Sequence, residues 1–437
     1  MRPTTDRGAR KPRVHWVSPL PPAQTDIGHY TARILPELAA ATDLTLWTDA
    51  DHWDRALAAH CPVRQLDPDG VLPRDLTGRG TDDVVFIHIG NSWVYHSRFL
   101  RLAQRLPSII VLHDLAIQEL CNEAILNDRF DGDVYRAGMT RWYGEQGRDL
   151  AAKLLDGKMG ALDVAMTAPG FELTMGRATG VLSHTPAAFD AATARDFVPV
   201  YQLDLPFRPS ATAPTAERAQ DGPLRFAQFG YIGPNRRLDA VLDALSAVRH
   251  DIDFQFDIMG NVWDPSYIRD RIDNLGLTGR VKIHGFVSEP QLDECLRQAH
   301  LIFNLRYPTM GEASGSQLRI WNASAASVVS DLGWYGSLPD ETVFKISREN
   351  EHKDLVKLLG DLSADRHLGR SIGTAGRARL ERYHTPALYA AGIAQVASYA
   401  QEDTASALLA RRARHLLKDM SDEGGLLKTR LASRLSR

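Results

Sequence analysis

The sequence predicts an α/β protein built as two doubly wound halves. Three observations lead there. Short runs rich in Val, Ile and Leu alternate with helical stretches, the pattern of parallel strands covered on both faces. Residues 208–223 (RPSATAPTAERAQDGP) interrupt that alternation with a Pro-, Ala- and Thr-rich stretch lacking apolar periodicity, as a linker does. And 437 residues exceed what one ordinary core organises.

In the first half, strands are expected at 14–17 (VHWV), 44–47 (LTLW), 84–89 (VVFIHI), 108–112 (SIIVL), 181–182 and 198–203. Helices are expected at 31–41 and 97–105, with a charged helical insertion over 117–160. The second series is expected at 224–229, 253–259, 281–285, 301–305 and 328–331, with helices between. The organisation read from this is a basic arm at 1–13, a first domain at 14–208, a linker at 209–223, a second domain at 224–380 and C-terminal helices with a basic tail at 381–437.

Composition narrows the function. A net charge of −3 excludes a strongly basic nucleic-acid binder, and 44% hydrophobic residues suffice for sizeable cores. Three scattered cysteines offer neither a disulfide framework nor a zinc pattern, which points to a reducing cytosol. No apolar run is long enough to span a membrane, and the opening MRPTTDRGARKPR has no apolar core after its charges. The basic tail after residue 405 repeats leucine at roughly helical spacing; it reads as an amphipathic helix packed on the body, a frayed tail, or a contact for anionic lipid.

In doubly wound sheets ligands sit beyond the carboxyl ends of the strands, so the loops there are the candidates, around a central cleft between the halves. The first is 18–30 (SPLPPAQTDIGHY), whose single glycine, Gly28, lets backbone approach a ligand or simply makes a turn. The absence of GxGxxG leaves a dinucleotide site unsupported. Asp26 lies in the same loop. The second is His113-Asp114, directly after a strand; His113 reads as a donor or base toward the cleft, or as a satisfied structural histidine. His88, Asn91 and His96 come from the preceding strand and loop and are placed toward the same cleft. The third is 230–237 (GYIGPNRR), where Arg236 and Arg237 suit a pyrophosphate, or are solvated surface. The fourth is 304–316 (NLRYPTMGEASGS). There Gly311, Ala313, Ser314, Gly315 and Ser316 would expose N–H groups at a helix start beside the carboxylate of Glu312. A plain helix cap is its alternative.

These motifs, in this order, resemble the retaining glycosyltransferases of family 4, with the GT-B fold, over most of the chain from about residue 13 to about 400. HWVSPLPPAQTDIGHYTARILPEL is similar to the first strand, loop and helix of the acceptor domain. FIHIGNSWVYHSRFLRLAQRLPSIIVLHDLAI is similar to the stretch that places the family's active-site histidine on His113. In FAQFGYIGPNRRLDAVLDAL the donor-domain lysine falls on Arg236, and a preceding phosphate-binding arginine falls on Tyr231. RVKIHGFVSEPQLDECLRQAHLIFNLRYPTMGEASGSQLRIWNASAASVVSDLGWYGSLPD resembles the nucleotide-sugar segment. Its two glutamates fall on Glu312 and Ile320, so the acid near the ribose is missing. The resemblance implies a nucleoside diphosphate sugar as donor, a carbohydrate-type acceptor and no cofactor. Gly285, Phe286 and Val287 would border the base, and the helix after Pro386 would cross back to the first domain. It also implies transfer with retention, in which the leaving phosphate takes the acceptor proton. No Asp-x-Asp motif is expected at a strand end in either half, which disfavours a metal-dependent GT-A transferase. The alternatives are a nucleotide-sugar epimerase or sugar phosphorylase on the same fold, or a non-catalytic binding module.

Overall fold

The computed structural model describes residues 11–77, 83–211, 218–402 and 405–418. Most of the expected basic arm, the middle of the expected linker and the tail beyond residue 418 lie outside the described residues.

The first sheet has seven parallel strands: β1 Arg13–Val17, β2 Asp43–Thr48, β3 Val63–Gln65, β4 Asp83–Ile89, β5 Ser108–Leu112, β6 Ala178–Ser183 and β7 Val200–Gln202. Their order is β3-β2-β1-β4-β5-β6-β7. Period-two alternation sorts each strand between two cores. Val85, Ile87, Ile89, Ile110 and Leu112 join one; Val84, Phe86, Ile109 and Val111 join the other, with Val14 and Trp16 of β1. Because both faces are covered by helices, the strands are nearly continuous apolar runs. The helix Asp26–Ala41 covers the second core with Ile34, Leu35 and Leu38, and the helix Pro386–Glu402 adds Tyr389, Ile393 and Val396 to it.

The second sheet has six parallel strands: β8 Leu224–Phe229, β9 Phe254–Met259, β10 Val281–Gly285, β11 Leu301–Phe303, β12 Ser327–Ser330 and β13 Phe344–Ile346, in the order β10-β9-β8-β11-β12-β13. By contacts the chain divides into two compact units. One is the described part of Met1–Pro206, Met310–Glu312 and Pro386–Arg437; the other is Phe207–Thr309 and Ala313–Thr385, as far as described.

Several expectations need correction. Edge strands β3 and β13, three residues each, carry too little pattern to be seen in VRQ and FKI. The helix expected at 31–41 begins at Asp26, because Thr25 is its N-cap and accepts from the Ile27 N–H. The helix expected at 97–105 runs Trp93–Ala103, and the strand expected at 301–305 stops at Phe303. The insertion at 117–160 holds the helices Gln118–Leu126 and Gly132–Leu155, the second broken where Gly144 leaves helical geometry (φ 63°, ψ −147°). Among the described residues no helix is long and apolar enough to cross a membrane.

Candidate active site

In the second unit the site grows from the carboxyl ends of β8 and β11. After β8 the chain makes a short 3-10 turn, Pro234–Arg236, which folds the Arg236 side chain back beneath the loop. Arg236 is buried and donates to Asn304 Oδ1 at 2.9 Å, to the Phe229 carbonyl at 3.2 Å and to Ser316 Oγ at 3.4 Å. Asn304, the residue after β11, donates in turn to Gln317 Oε1 at 2.9 Å. Gln317 Nε2 donates to Ser327 Oγ at the start of β12, at 2.8 Å. Ser314 caps the helix Gly315–Asn322 by accepting from the Gln317 N–H at 3.0 Å. Side chains from Arg236 to Ser327 thus form one buried polar chain that binds a guanidinium to the first turn of a helix. Nothing would crowd a Cβ on Gly315 within 4 Å, so the backbone there is open. A fixed cation and a helix N-terminus both favour an anion.

Arg236, Ser314, Gly315 and Ser316 therefore come together. Asn304 and Gln317 were not singled out in the sequence. The signal that would find them is a polar residue directly after an apolar strand, and a polar residue in the first turn of a helix that must pack on it.

Arg237 goes elsewhere. It adopts left-handed backbone geometry (φ 59°) at the N-cap of the helix Leu238–Ala247, and its guanidinium grips Glu351, Nε to Oε1 at 3.1 Å. That hydrogen bond raises its pKa further. Tyr231 is exposed, whereas Ile320 is fully buried beside Phe229, Met259, Leu296 and Ile302. Gly285 (φ 68°) ends β10 and accepts from the Gly260 N–H at 2.7 Å. Phe286 after it is 84% exposed, while Val287 packs toward the Leu296 core.

The first unit brings together histidines from three neighbouring strands. His88 shares the face of Val84 and Phe86 on β4; His113 continues the Ile109–Val111 face of β5; His184 continues the Leu182 face of β6. Their rings meet: His88 Nδ1 lies 2.8 Å from His113 Nε2, and His113 and His184 have centroids 5.1 Å apart. Tyr30 stands edge-on to His113 at 5.2 Å, and Trp16 lies 4.4 Å from His88. His96 is buried and turns away, its Nδ1 on the His88 carbonyl at 3.1 Å. Burial holds His88 and His113 well below the usual imidazole range, with the neighbouring His184 next in effect. Burial also pushes His96 and His184 down to about 4. These are neutral imidazoles at pH 7.

Met310–Glu312 forms a tight turn. The Met310 N–H donates to Glu312 Oε2 at 2.7 Å, the Met310 carbonyl accepts from the Ala116 N–H at 2.9 Å, and the Gly311 carbonyl accepts from Thr185 Oγ1 at 3.0 Å. Ala313 follows, half-buried. Asn91 and Asp114 are tied to one another: Asp114 Oδ2 accepts from the Asn91 N–H at 2.7 Å, and the Asn91 side chain accepts from the Leu120 N–H at 3.0 Å. Gly28 is buried in its helix, where a Cβ would lie 3.3 Å from Thr25 Cγ2, and Asp26 is exposed in the first turn.

One expectation is corrected here. Asp49-Ala50-Asp51 directly follows β2, so an Asp-x-Asp pair does stand at a strand end. It lines a cavity of about 410 Å³ with Gln65, Asp67 and Arg98. Arg98 pairs with Asp49 at 3.5 Å, and Gln65 Nε2 donates to Asp51 at 2.8 Å. Among the described residues no group of three or more His, Cys, Asp or Glu side chains is placed to hold a metal ion.

Comparison with known proteins adds to this geometry. Residues 211–318 match the family described as Glycosyl transferases group 1. That segment contains Arg236, Asn304, Glu312, Ser314 and Gln317. No curated protein sequence matches the chain. Among solved structures, Anabaena HepE in complex with UDP is similar at 14% identity and TM-score 0.57, over 89% of this chain and all of that one. The sucrose-phosphate synthase of Thermosynechococcus elongatus is similar at 14% identity and TM-score 0.57, over 89% of this chain and 98% of that one. A glycosyltransferase from Rickettsia africae is similar at 10% identity and TM-score 0.58, over 91% and 100%. At such identities the likeness establishes the fold: two Rossmann-like parallel-sheet domains of the GT-B type.

Proposed function

We propose that this protein is a glycosyltransferase that moves a sugar from a nucleoside diphosphate donor to a carbohydrate-type acceptor, with retention of anomeric configuration. The observation that carries the reading is the buried Arg236, held by Asn304 at the start of the helix Gly315–Asn322 inside the segment that matches Glycosyl transferases group 1. The ligand class is taken from HepE, whose solved structures hold UDP and UDP-glucose.

In this reading residues 224–380 take the donor and 14–208 the acceptor. Arg236 and the N–H groups near Ser314, Gly315 and Ser316 receive the pyrophosphate and stabilise the charge that develops as it leaves. Phe286 and Val287 border the base. Glu312 accepts hydrogen bonds from sugar hydroxyls, and His113 faces the reacting carbon. The bond from the anomeric carbon to the phosphate oxygen breaks, and the acceptor oxygen bonds to the same face of that carbon. The acceptor proton passes to the departing phosphate. A strong protein base is not required, which accords with the histidines of the first unit, whose burial makes them weak bases. No protein metal ligand enters this scheme. We place the reaction in a reducing cytosol, with the basic ends of the chain as contacts for anionic lipid.

The test is a panel of UDP-, GDP- and ADP-sugars offered to purified protein, with nucleoside diphosphate release and thermal stabilisation measured. One donor class is expected to stabilise the protein and be consumed, and Arg236→Ala is expected to abolish both effects. Failure of every nucleotide to bind the parent protein would overturn the reading.

A further inference from the structure

The histidine cluster holds a proton pattern that geometry alone determines at two of its members. A carbonyl oxygen only accepts, so His184 must carry its proton on Nδ1, which lies 3.0 Å from the Leu203 carbonyl. Its Nε2 is then a bare lone pair, and that atom is buried with no partner. His96 likewise donates Nδ1–H to the His88 carbonyl. His88 repeats the pattern: Nδ1 lies 2.8 Å from His113 Nε2, and Nε2 is buried with no partner. Two tautomers fit that contact. One leaves a buried N–H orphaned at His88 Nε2, and the other leaves only a bare lone pair there. Orphaned buried N–H groups are the rarer and costlier of the two. Trp16, packed 4.4 Å from the His88 ring, supplies no acceptor oxygen.

We infer that His88 is a positioning residue: it donates Nδ1–H to Nε2 of His113, so that His113 carries its own proton on Nδ1 and presents it to a ligand oxygen. His113 Nδ1 makes no hydrogen bond with any described residue and is not among the buried unpaired atoms. His113 is thereby a hydrogen-bond donor with a fixed ring plane, and its accepting nitrogen is occupied. The tautomer stands on the geometry of the first unit; the identity of the oxygen, a sugar hydroxyl or a phosphate of the donor, rests on the function proposed above.

The test uses the full chain labelled with ¹⁵N-histidine. Long-range ¹⁵N–¹H correlation spectra distinguish protonated from bare ring nitrogens, and His113 is assigned by its loss in His113→Gln. The parent protein is expected to show Nδ1 protonated and Nε2 bare. His88→Asn, whose amide N–H stands where Nδ1–H stood, is expected to keep that pattern, and His88→Phe to lose it to a mixture of tautomers. Where a nucleotide sugar is turned over, His88→Phe is expected to lower kcat about tenfold with donor KM changed less than about threefold, and His88→Asn to restore most of kcat. A His113 protonated on Nε2 in the parent protein would overturn the inference, as would a pattern indifferent to His88→Phe. The expected spectra without turnover of any donor would instead fault the glycosyltransferase reading and leave the tautomer assignment intact.

Discussion

Glu312 and Arg236 answer to different measurements. Glu312 is half-buried in a turn and accepts from the Met310 N–H at 2.7 Å, a local contact two residues away. Glu312→Ala is therefore expected to leave the fold intact and to lower kcat about 100-fold or more, read by donor consumption; unchanged turnover would remove Glu312 from the site. Arg236 holds the Asn304 and Ser316 side chains and the Phe229 and Tyr231 carbonyls together, so Arg236→Ala costs stability as well as affinity. Arg236→Lys separates the two, keeping the charge while losing the planar fork. Calorimetry with a nucleoside diphosphate is expected to show binding weakened at least about tenfold in Arg236→Lys; equal affinity would refute the phosphate role. The histidines make a pH prediction. Their folded pKa values lie below the unfolded value, so between about 4 and 6.5 the unfolded chain binds more protons. Stability is complete above about pH 6.5 and falls as pH drops toward 4, by about 3 kcal/mol for each of His96 and His184. Urea midpoints measured at pH 7.5, 6 and 4.5 check this, and a flat profile would contradict it. Of these residues, His113, Glu312 and Arg236 are candidates in the sequence because each lies in a loop after a recognisable strand. Asn304 and Gln317 are not, since their polarity acquires meaning only once they are buried against one another.

At the scale of elements, two turns decide the geometry. Gly311 has φ 78°, and a Cβ there would come within 2.5 Å of Leu115 Cβ. Gly311→Ala thus combines left-handed strain of about 1–2 kcal/mol with a backbone-level clash, and both thermal stability and turnover are expected to fall. Adding Leu115→Ala removes the Cγ and Cδ2 contacts but keeps the offending Cβ and the strain, so recovery in the double variant is expected to be slight, and Leu115→Gly, which removes that Cβ, is expected to recover more. The helix Gly315–Asn322 depends on its cap: Ser314→Ala is expected to cost about 1 kcal/mol and, under the proposed function, to weaken nucleotide binding by fraying the first turn. The interior strands were readable as apolar runs, and the edges β3 and β13 were not. An interior strand must be apolar on both faces, whereas a three-residue edge needs only to pair along one side. The start of the helix at Asp26 was hidden for a related reason: its cap is a threonine in a proline-rich loop, and Gly28 in the first turn weakens the helical signal.

For the whole molecule, the helix Pro386–Glu402 belongs to the core of the first sheet although almost 200 residues intervene in sequence. Its Tyr389 hydroxyl accepts from Tyr30 at 2.5 Å, and Ile393 is fully buried. Ile393→Ala is expected to cost about 2–5 kcal/mol in urea unfolding. A chain ending at residue 385 is expected to expose the face of Trp16, Ile34 and Leu38, and to lose the cooperative unfolding transition that the longer chain shows. The sequence by itself determined the alternation of strands and helices, the two series and the loops that follow the strands, because periodicity and turn residues are local properties of the chain. Only the tertiary structure decided that Arg237 serves Glu351 while Arg236 serves the polar chain, and that three histidines meet on one face. Those outcomes depend on strand order and register, which join residues tens to hundreds of positions apart, and no local pattern records which strands become neighbours.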